Sequence, residues 1–256
     1  MSLTGYSIGV ASIRTRSEPR TGPLMAQVSE MARSLSMAMC VGYPEKEGDR
    51  IFNAAAVFDD TGRLIHHYRK THLFGAYELA VFTPGGAGEL ACSRLNSSSK
   101  PGSLAFGLMI CMDCEYPEPA RLLALQGAEI IILPTALGAG PVQHLTPRCV
   151  VPTRALENHI FIAYANFCGP AAGPDDSAFV GQSAVIGPDG MDLCRAPGPE
   201  SIHRHASVDS ACVRCADVES AAFAADVARN PYLTARRPEL YAAISDAAAC
   251  AAAGRA

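Results

Sequence analysis

Two apolar runs, SLAFGLMIC ending at Cys111 and EIIILP ending at Pro134, bracket a segment of helix formers, PARLLALQ, that stops at Gly127. Apolar throughout, each run suits a strand buried on both faces, and a helix between two such strands is the connection that pairs them in parallel. Pro117 and Pro119 fit a helix start, where a missing N–H costs nothing. The chain is therefore predicted to be an α/β protein with a β-turn-α-β unit, and Cys111 lies on its first turn. Ligands and catalytic groups collect at such strand ends.

The rest of the chain reads compatibly. Leu24, Val28, Met31, Ala32 and Leu35 recur at helical spacing, and MAMCVGY after them reads as a buried strand. FNAAAVFDDTGRLIHHYRK is two strand-like runs joined at Asp60-Thr61-Gly62, a hairpin signal. Residues 71–88, with Pro84, Gly85, Gly86 and Gly88, read as a long loop of the kind that carries function. TRALENH ends a helix, IFIAYANF is a strand, and FVGQSAVIGPDGMDL is a second hairpin turning on Pro188-Asp189-Gly190. No internal repeat is present, and residues 195–228 carry no clear pattern. One domain over 1–228 is expected, followed by a C-terminal arm and Ala-rich tail over 229–256.

With 256 residues, 49% hydrophobic and 18% charged, the chain has ample material for a core. Its net charge of -4 offers no broad basic surface for nucleic acid or anionic lipid. No apolar run reaches the roughly 18 residues needed to cross a bilayer. The opening MSLTGYSIGVASIRTRSEPR lacks a charged start followed by an apolar stretch, so a soluble, cytoplasmic chain with its ten cysteines reduced is expected.

Cys111 and Cys114 form a C-x-x-C pair that admits four readings. Zinc would need the second pair, Cys212 and Cys215, which lies about 100 residues away, whereas zinc ribbons keep both pairs within about 20. Redox chemistry wants such a pair at a helix start, but Asp113 puts an anion where a lowered thiol pKa wants none. Both could be small core residues. Alternatively Cys111 is a nucleophile, which requires a base and a cation to hold an oxyanion. Lys70, at the end of LIHHYRK and before THLFGAYE, is the candidate cation; a solvated strand-end lysine is its plainer reading. His72 is a possible base, or a structural hydrogen bonder.

Four ordered blocks, YRKTHLFGAYELAVFTPG, LMICMDCEYPEPARLLALQGAEIIILPTAL, TRALENHIFIAYANFCG and FVGQSAVIGPDG, resemble the nitrilase superfamily of carbon-nitrogen hydrolases, and most nearly its aliphatic amidase branch, which includes 5-aminopentanamidase. The resemblance implies a four-layer α-β-β-α sandwich and a Glu-Lys-Cys triad. By position, Cys111 is the implied nucleophile, Lys70 the triad lysine and Glu78 a second pocket glutamate. Met112 is expected to offer its backbone N–H to the oxyanion, and Tyr77, Thr135 and Ala136 are expected on the substrate-binding wall. Implied too are a small amide substrate, a homodimer or higher homo-oligomer paired through the helices beside the nucleophile, and no metal or cofactor. Should the substrate carry an ammonium group, Glu78 or Asp113 could face it. Cys114 falls where the family varies, which favours a core residue.

In the family the triad glutamate sits in a PE-x-x-LTGY pattern. Here Leu3-Thr4-Gly5-Tyr6 align with its end, and the glutamate would fall immediately before Met1. Glu45 in VGYPEKEGD is not a substitute, because no LTGY follows it. The expectation is an N-terminally truncated chain, lacking the family's first strand-helix-strand and weak or inactive as an amidase by itself. The alternative is a non-catalytic binding or dimer-partner protein.

Overall fold

The computed structural model describes residues 1–98, 102–140, 143–170, 178–197, 214–219, 222–223, 227–228 and 230–246. Helices α1 (Val10–Arg16) and α2 (Pro23–Ser34) precede strands β1 (Met39–Glu47), β2 (Arg50–Phe58) and β3 (Leu64–Arg69). Helix α3 (Gly75–Val81), β4 (Cys92–Asn96), β5 (Ser103–Leu108), α4 (Pro117–Leu125) and β6 (Ile130–Thr135) come next. Helix α5 (Val151–Asn158), β7 (Phe161–Asn166), β8 (Cys168–Pro170), β9 (Ala178–Val180), β10 (Ala184–Ile186) and β11 (Asp192–Arg195) follow.

The first sheet is the antiparallel set β1-β2-β3. Gly48, at positive φ, and Asp49 make the tight turn between β1 and β2, which the sequence reading passed over. The hairpin at 59–63 is as expected: Asp59 accepts from the backbone N–H of Thr61 and Arg63, with Gly62 at φ 81°. The start of α2 is capped from outside its own first turn. The Glu18 carboxylate accepts the N–H groups of Leu24 and Met25, two of the donors a helix start leaves orphaned.

The second sheet runs β11-β10-β7-β6-β5-β4, with β5, β6 and β7 parallel and the outer strands antiparallel. Alternation sorts its side chains even though neither face is wet. Ile131, Leu133, Ile162 and Tyr164 pack against Ala120, Leu123, Val151 and Ala155 of α4 and α5. Phe106, Leu108, Ile130 and Phe161, from the opposite face, pack against Ala55, Val57 and Tyr68 of the first sheet. Ala54, Ala56 and Phe58, the other parity of β2, meet Met25, Val28 and Ala32 of α2. Gly107 lets α4 come close, since a Cβ there would sit 2.8 Å from Leu123.

One reading needs correction. Residues 71–88 are not a structureless loop: they contain α3, and a short 3-10 turn over Ala87–Glu89 begins at their end. Seven residues are too few to show a helical period, and the helix is held by its surroundings. Gly75 turns the chain at φ 62°, and the buried Glu78 side chain folds back to accept the Phe74 N–H at the helix start. Cys212, half of the proposed second cysteine pair, lies outside the described residues. Among the described residues no helix is long and apolar enough to cross a membrane.

Candidate active site

Strand β5 ends at Leu108 and the chain turns into a 3-10 segment over Cys111–Glu115 before α4. Cys111 takes φ 48°, a left-handed conformation that costs a non-glycine residue energy and persists only where surroundings impose it. Its thiol faces a cavity of about 210 Å³ also lined by Glu78, Asn53, Thr135, Ala136 and Asn166. A wider hollow of about 700 Å³ shares Tyr6, Cys111 and Ala136 with it and continues past Met112, Glu115, Leu137 and Phe179. A small inner chamber thus opens at the sulfur into a larger outer one.

Lys70 follows β3 directly, its backbone held by Asn53 C=O and by the Gly85 N–H. The Lys70 side chain is wholly buried and its Nζ lies 2.7 Å from Glu78 Oε2. The other Glu78 oxygen accepts from Tyr6 OH at 3.0 Å and Asn53 Nδ2 at 2.9 Å. Buried charges persist when paired and saturated with hydrogen bonds, and this pair is both. Burial pushes the Cys111 thiol above its ordinary range. The Lys70 charge and the Ala136 N–H pull it back, while Glu78 and Asp113 oppose them. Lys70 and Cys111, some forty residues apart and from different sheets, are electrostatic neighbours.

The backbone at Ala136 is aimed by its own peptide. Thr135 C=O accepts the Phe167 N–H, so the Ala136 N–H, trans to it, points the other way, toward the sulfur. Asn166 holds the next peptide, accepting the Leu137 N–H at 2.9 Å and donating to Gly181 C=O.

Of the residues expected at the site, Cys111, Glu78, Thr135 and Ala136 line the inner cavity and Met112 lines the outer one. Lys70 is not part of either wall; it is bonded to Glu78, which is, and its charge bears on the Cys111 thiol. Tyr77 faces a third hollow that excludes Cys111; its hydroxyl donates to Tyr6 C=O at 2.8 Å and its ring meets Tyr6 edge-on. It thus steadies a residue of the wall.

His72 is drawn to Asp113 at 2.9 Å and stacks on Tyr116. Glu45 is bound by Arg69 at 2.7 and 2.8 Å and by His67, away from both hollows. Cys114 packs in the cluster under α4, while Cys111 adjoins the cluster between the sheets.

Tyr6, Asn53 and Glu115 were missed. Asn53 carried a signal, being a lone polar residue inside the apolar run IFNAAAVF, where burial demands a partner.

The sequence profile of the family described as "Carbon-nitrogen hydrolase" matches residues 1–214. Among similar proteins is the "Hydrolase in pqqF 5'region" of Pseudomonas protegens, 34% identical over 242 residues, which are 94% of this chain and 77% of that protein. The (R)-stereoselective amidase of a Pseudomonas species is 31% identical over 203 residues, 78% of this chain and 68% of its own. Among solved structures, a mutant of the Nesterenkonia sp. AN1 amidase in complex with butyramide superposes with a TM-score of 0.65 at 27% identity, covering 93% of this chain and 78% of that one. Another mutant of that amidase shows the result of Michael addition of acrylamide at the active-site cysteine. With a strained cysteine at a strand end, a buried lysine-glutamate pair beside it and these likenesses, the chain belongs to the carbon-nitrogen hydrolase family, a nitrilase-superfamily member with amidase-like relatives.

Proposed function

We propose that this chain forms the body of an amidase of the aliphatic branch, cleaving small linear amides through a thioester on Cys111. The observation that carries the reading is that Cys111, Glu78 and Ala136 line one cavity, while Lys70, bonded to Glu78 behind that wall, bears on the Cys111 thiol through its charge. The Cys111 sulfur adds to the amide carbon, and the oxyanion is met by backbone N–H groups of Met112 and Ala136, with the positive charge of Lys70 behind Glu78 favouring it. One such donor is typically worth about 3 kcal/mol. The C–N bond then breaks, the thiol proton leaves with ammonia, and water cleaves the thioester to carboxylate and free thiol.

Resemblance places the proton-carrying glutamate before Met1. The course of the first residues supports it: Ser2 N–H bonds to Gly42 C=O at 2.8 Å, and Met1 lines the inner cavity. The Met1 nitrogen lies so close to Gly42 that a Cβ there would collide with it. The packing of α2 on one sheet and of α4 and α5 on the other supports the four-layer α-β-β-α arrangement. Exposed Tyr116, Leu122 and Leu125 at and beside α4 suit pairing of two copies there. Residues 1–228 are assigned to the hydrolase domain and 229–256 to its arm.

A substrate ammonium would not be met by Glu78 or Asp113, whose oxygens are occupied by internal donors. Glu115, on the outer wall with Thr146 Oγ1 on one oxygen, is the better-placed carboxylate.

The test is ammonia release from butyramide and 5-aminopentanamide by the chain as given, by a version extended upstream through the glutamate, and by that version with Cys111→Ala. Turnover is expected only in the extended chain with Cys111, with Glu115→Gln erasing any preference for 5-aminopentanamide. Equal turnover without the extension, or turnover surviving Cys111→Ala, refutes the mechanism. An extended chain that releases no ammonia and leaves Cys111 unreactive supports the non-catalytic binding role instead.

A further inference from the structure

Lys70 arrives from the first sheet and Cys111 from the second, and the sheets meet through Ala55, Val57, Tyr68, Phe106, Leu108 and Phe161. Apolar contact of that kind sets the spacing of two layers but is non-directional, so it does not fix how one slides over the other. A directional joint is needed to hold an ammonium against a particular sulfur.

Asp113 makes such a joint. Its carboxylate is completely buried. Oδ2 accepts from the Ile110 N–H at 2.8 Å, one residue before Cys111, and from Tyr68 OH at 2.7 Å. Oδ1 accepts from Thr71 Oγ1, the His72 N–H and His72 Nδ1, each at 2.9 Å. Tyr68, Thr71 and His72 flank Lys70 on both sides along the chain. Resting on the reading of Cys111 and Lys70 as the working pair, we propose that Asp113 is a positioning residue. It ties the strand end that delivers Lys70 to the turn that delivers Cys111.

Only a carboxylate fits the joint. Each oxygen receives one backbone N–H, from Ile110 on one side and His72 on the other. In Asp113→Asn the amide turns its NH₂ toward one of those N–H groups whichever way it is oriented, and one half of the joint opens.

The sign of the effect separates positioning from plainer roles. The Asp113 anion opposes ionisation of the neighbouring thiol. If its charge were all that mattered, Asp113→Asn would raise the thiolate fraction and speed alkylation. General loosening would also speed it by uncovering a buried sulfur. If Asp113 holds Lys70 in place, the substitution draws the cation away and slows alkylation.

The experiment measures the iodoacetamide reaction of Cys111 at pH 7 in the full chain, by mass spectrometry of its peptide, with a thermal melt of each variant. Asp113→Asn is expected to react about tenfold more slowly while still melting cooperatively, the equivalent of one pKa unit in thiolate fraction. Thr71→Val and Tyr68→Phe each remove one donor and leave the carboxylate, and are expected to slow the reaction about two- to fivefold. An unchanged or faster rate in folded Asp113→Asn overturns the proposal. Should that variant fail to fold, unchanged rates in both milder variants overturn it equally. The readout needs no amide turnover, so an absence of amidase activity and an absence of this effect are separate failures.

Discussion

Replacing Glu78 by glutamine should expose the energetics of the site more sharply than any change at the nucleophile. The carboxylate and the Lys70 ammonium are both wholly buried and 2.7 Å apart, and Glu78 also accepts from Phe74 N–H, Tyr6 OH and Asn53 Nδ2. Glutamine keeps the shape and removes the countercharge. Removing one partner of a buried pair costs about 3–5 kcal/mol because the other charge stays behind without compensation. Set against a typical total of about 5–15 kcal/mol, that is a large share of the fold's stability. For a chain of this size it should lower the melting temperature by roughly 10 °C.

Urea unfolding followed by circular dichroism measures the loss, and a double-mutant cycle assigns it. Lys70→Met combined with Glu78→Gln removes both charges while the glutamine oxygen still accepts hydrogen bonds, and should be more stable than Glu78→Gln alone, since no uncompensated ion then stays buried. A Glu78→Gln variant within about 1 kcal/mol of the parent would refute the argument. So would a double variant no better than the single one.

Two further outcomes are expected. Burial works against ionisation of Glu45, but hydrogen bonds from Arg69 and His67 outweigh it and hold the carboxyl at about 2; its stabilisation is therefore complete above the ordinary glutamate pKa of about 4.3 and fades as pH falls toward 2. Urea midpoints at pH 5 and pH 3 should differ less in Glu45→Gln than in the parent, and an identical difference would discard this account. Cys114 is fully buried under α4 and burial pushes its thiol well above the ordinary range, so Cys114→Ala should cost about 1 kcal/mol by melting and leave Cys111 alkylation unchanged; a Cys111 rate that drops with it would revive the C-x-x-C pair as a functional unit.

Much of this site was legible before any coordinates. The run SLAFGLMIC and its partner EIIILP announced a parallel crossover, and Cys111 followed from where that crossover turns. Lys70 was legible as a lysine at a strand end, for which a solvated side chain was the plainer reading, and its pairing with Cys111 came from the resemblance. Tyr6 and Glu115 were not, because their importance lies in what they face: Tyr6 reaches Glu78 across 72 positions, and Glu115 borders the outer hollow. The segment 71–88 misled for a related reason. Its glycines and proline do bend the chain, but α3 between them is held by one buried carboxylate binding the helix start and Lys70 together.

Local periodicity, turn residues and the order of the motif blocks are properties of neighbours along the chain, and the sequence alone determined them: an α/β architecture, a parallel crossover with Cys111 on its turn, and blocks that resemble the carbon-nitrogen hydrolases. Long-range geometry decided the rest. Which carboxylates are spent on internal donors, which one borders open space and what joins Lys70 to Cys111 across two sheets all depend on side chains meeting from distant elements. Apolar packing brings those elements together without direction, and hydrogen bonds such as those on Asp113 then fix one register among the many that packing alone allows.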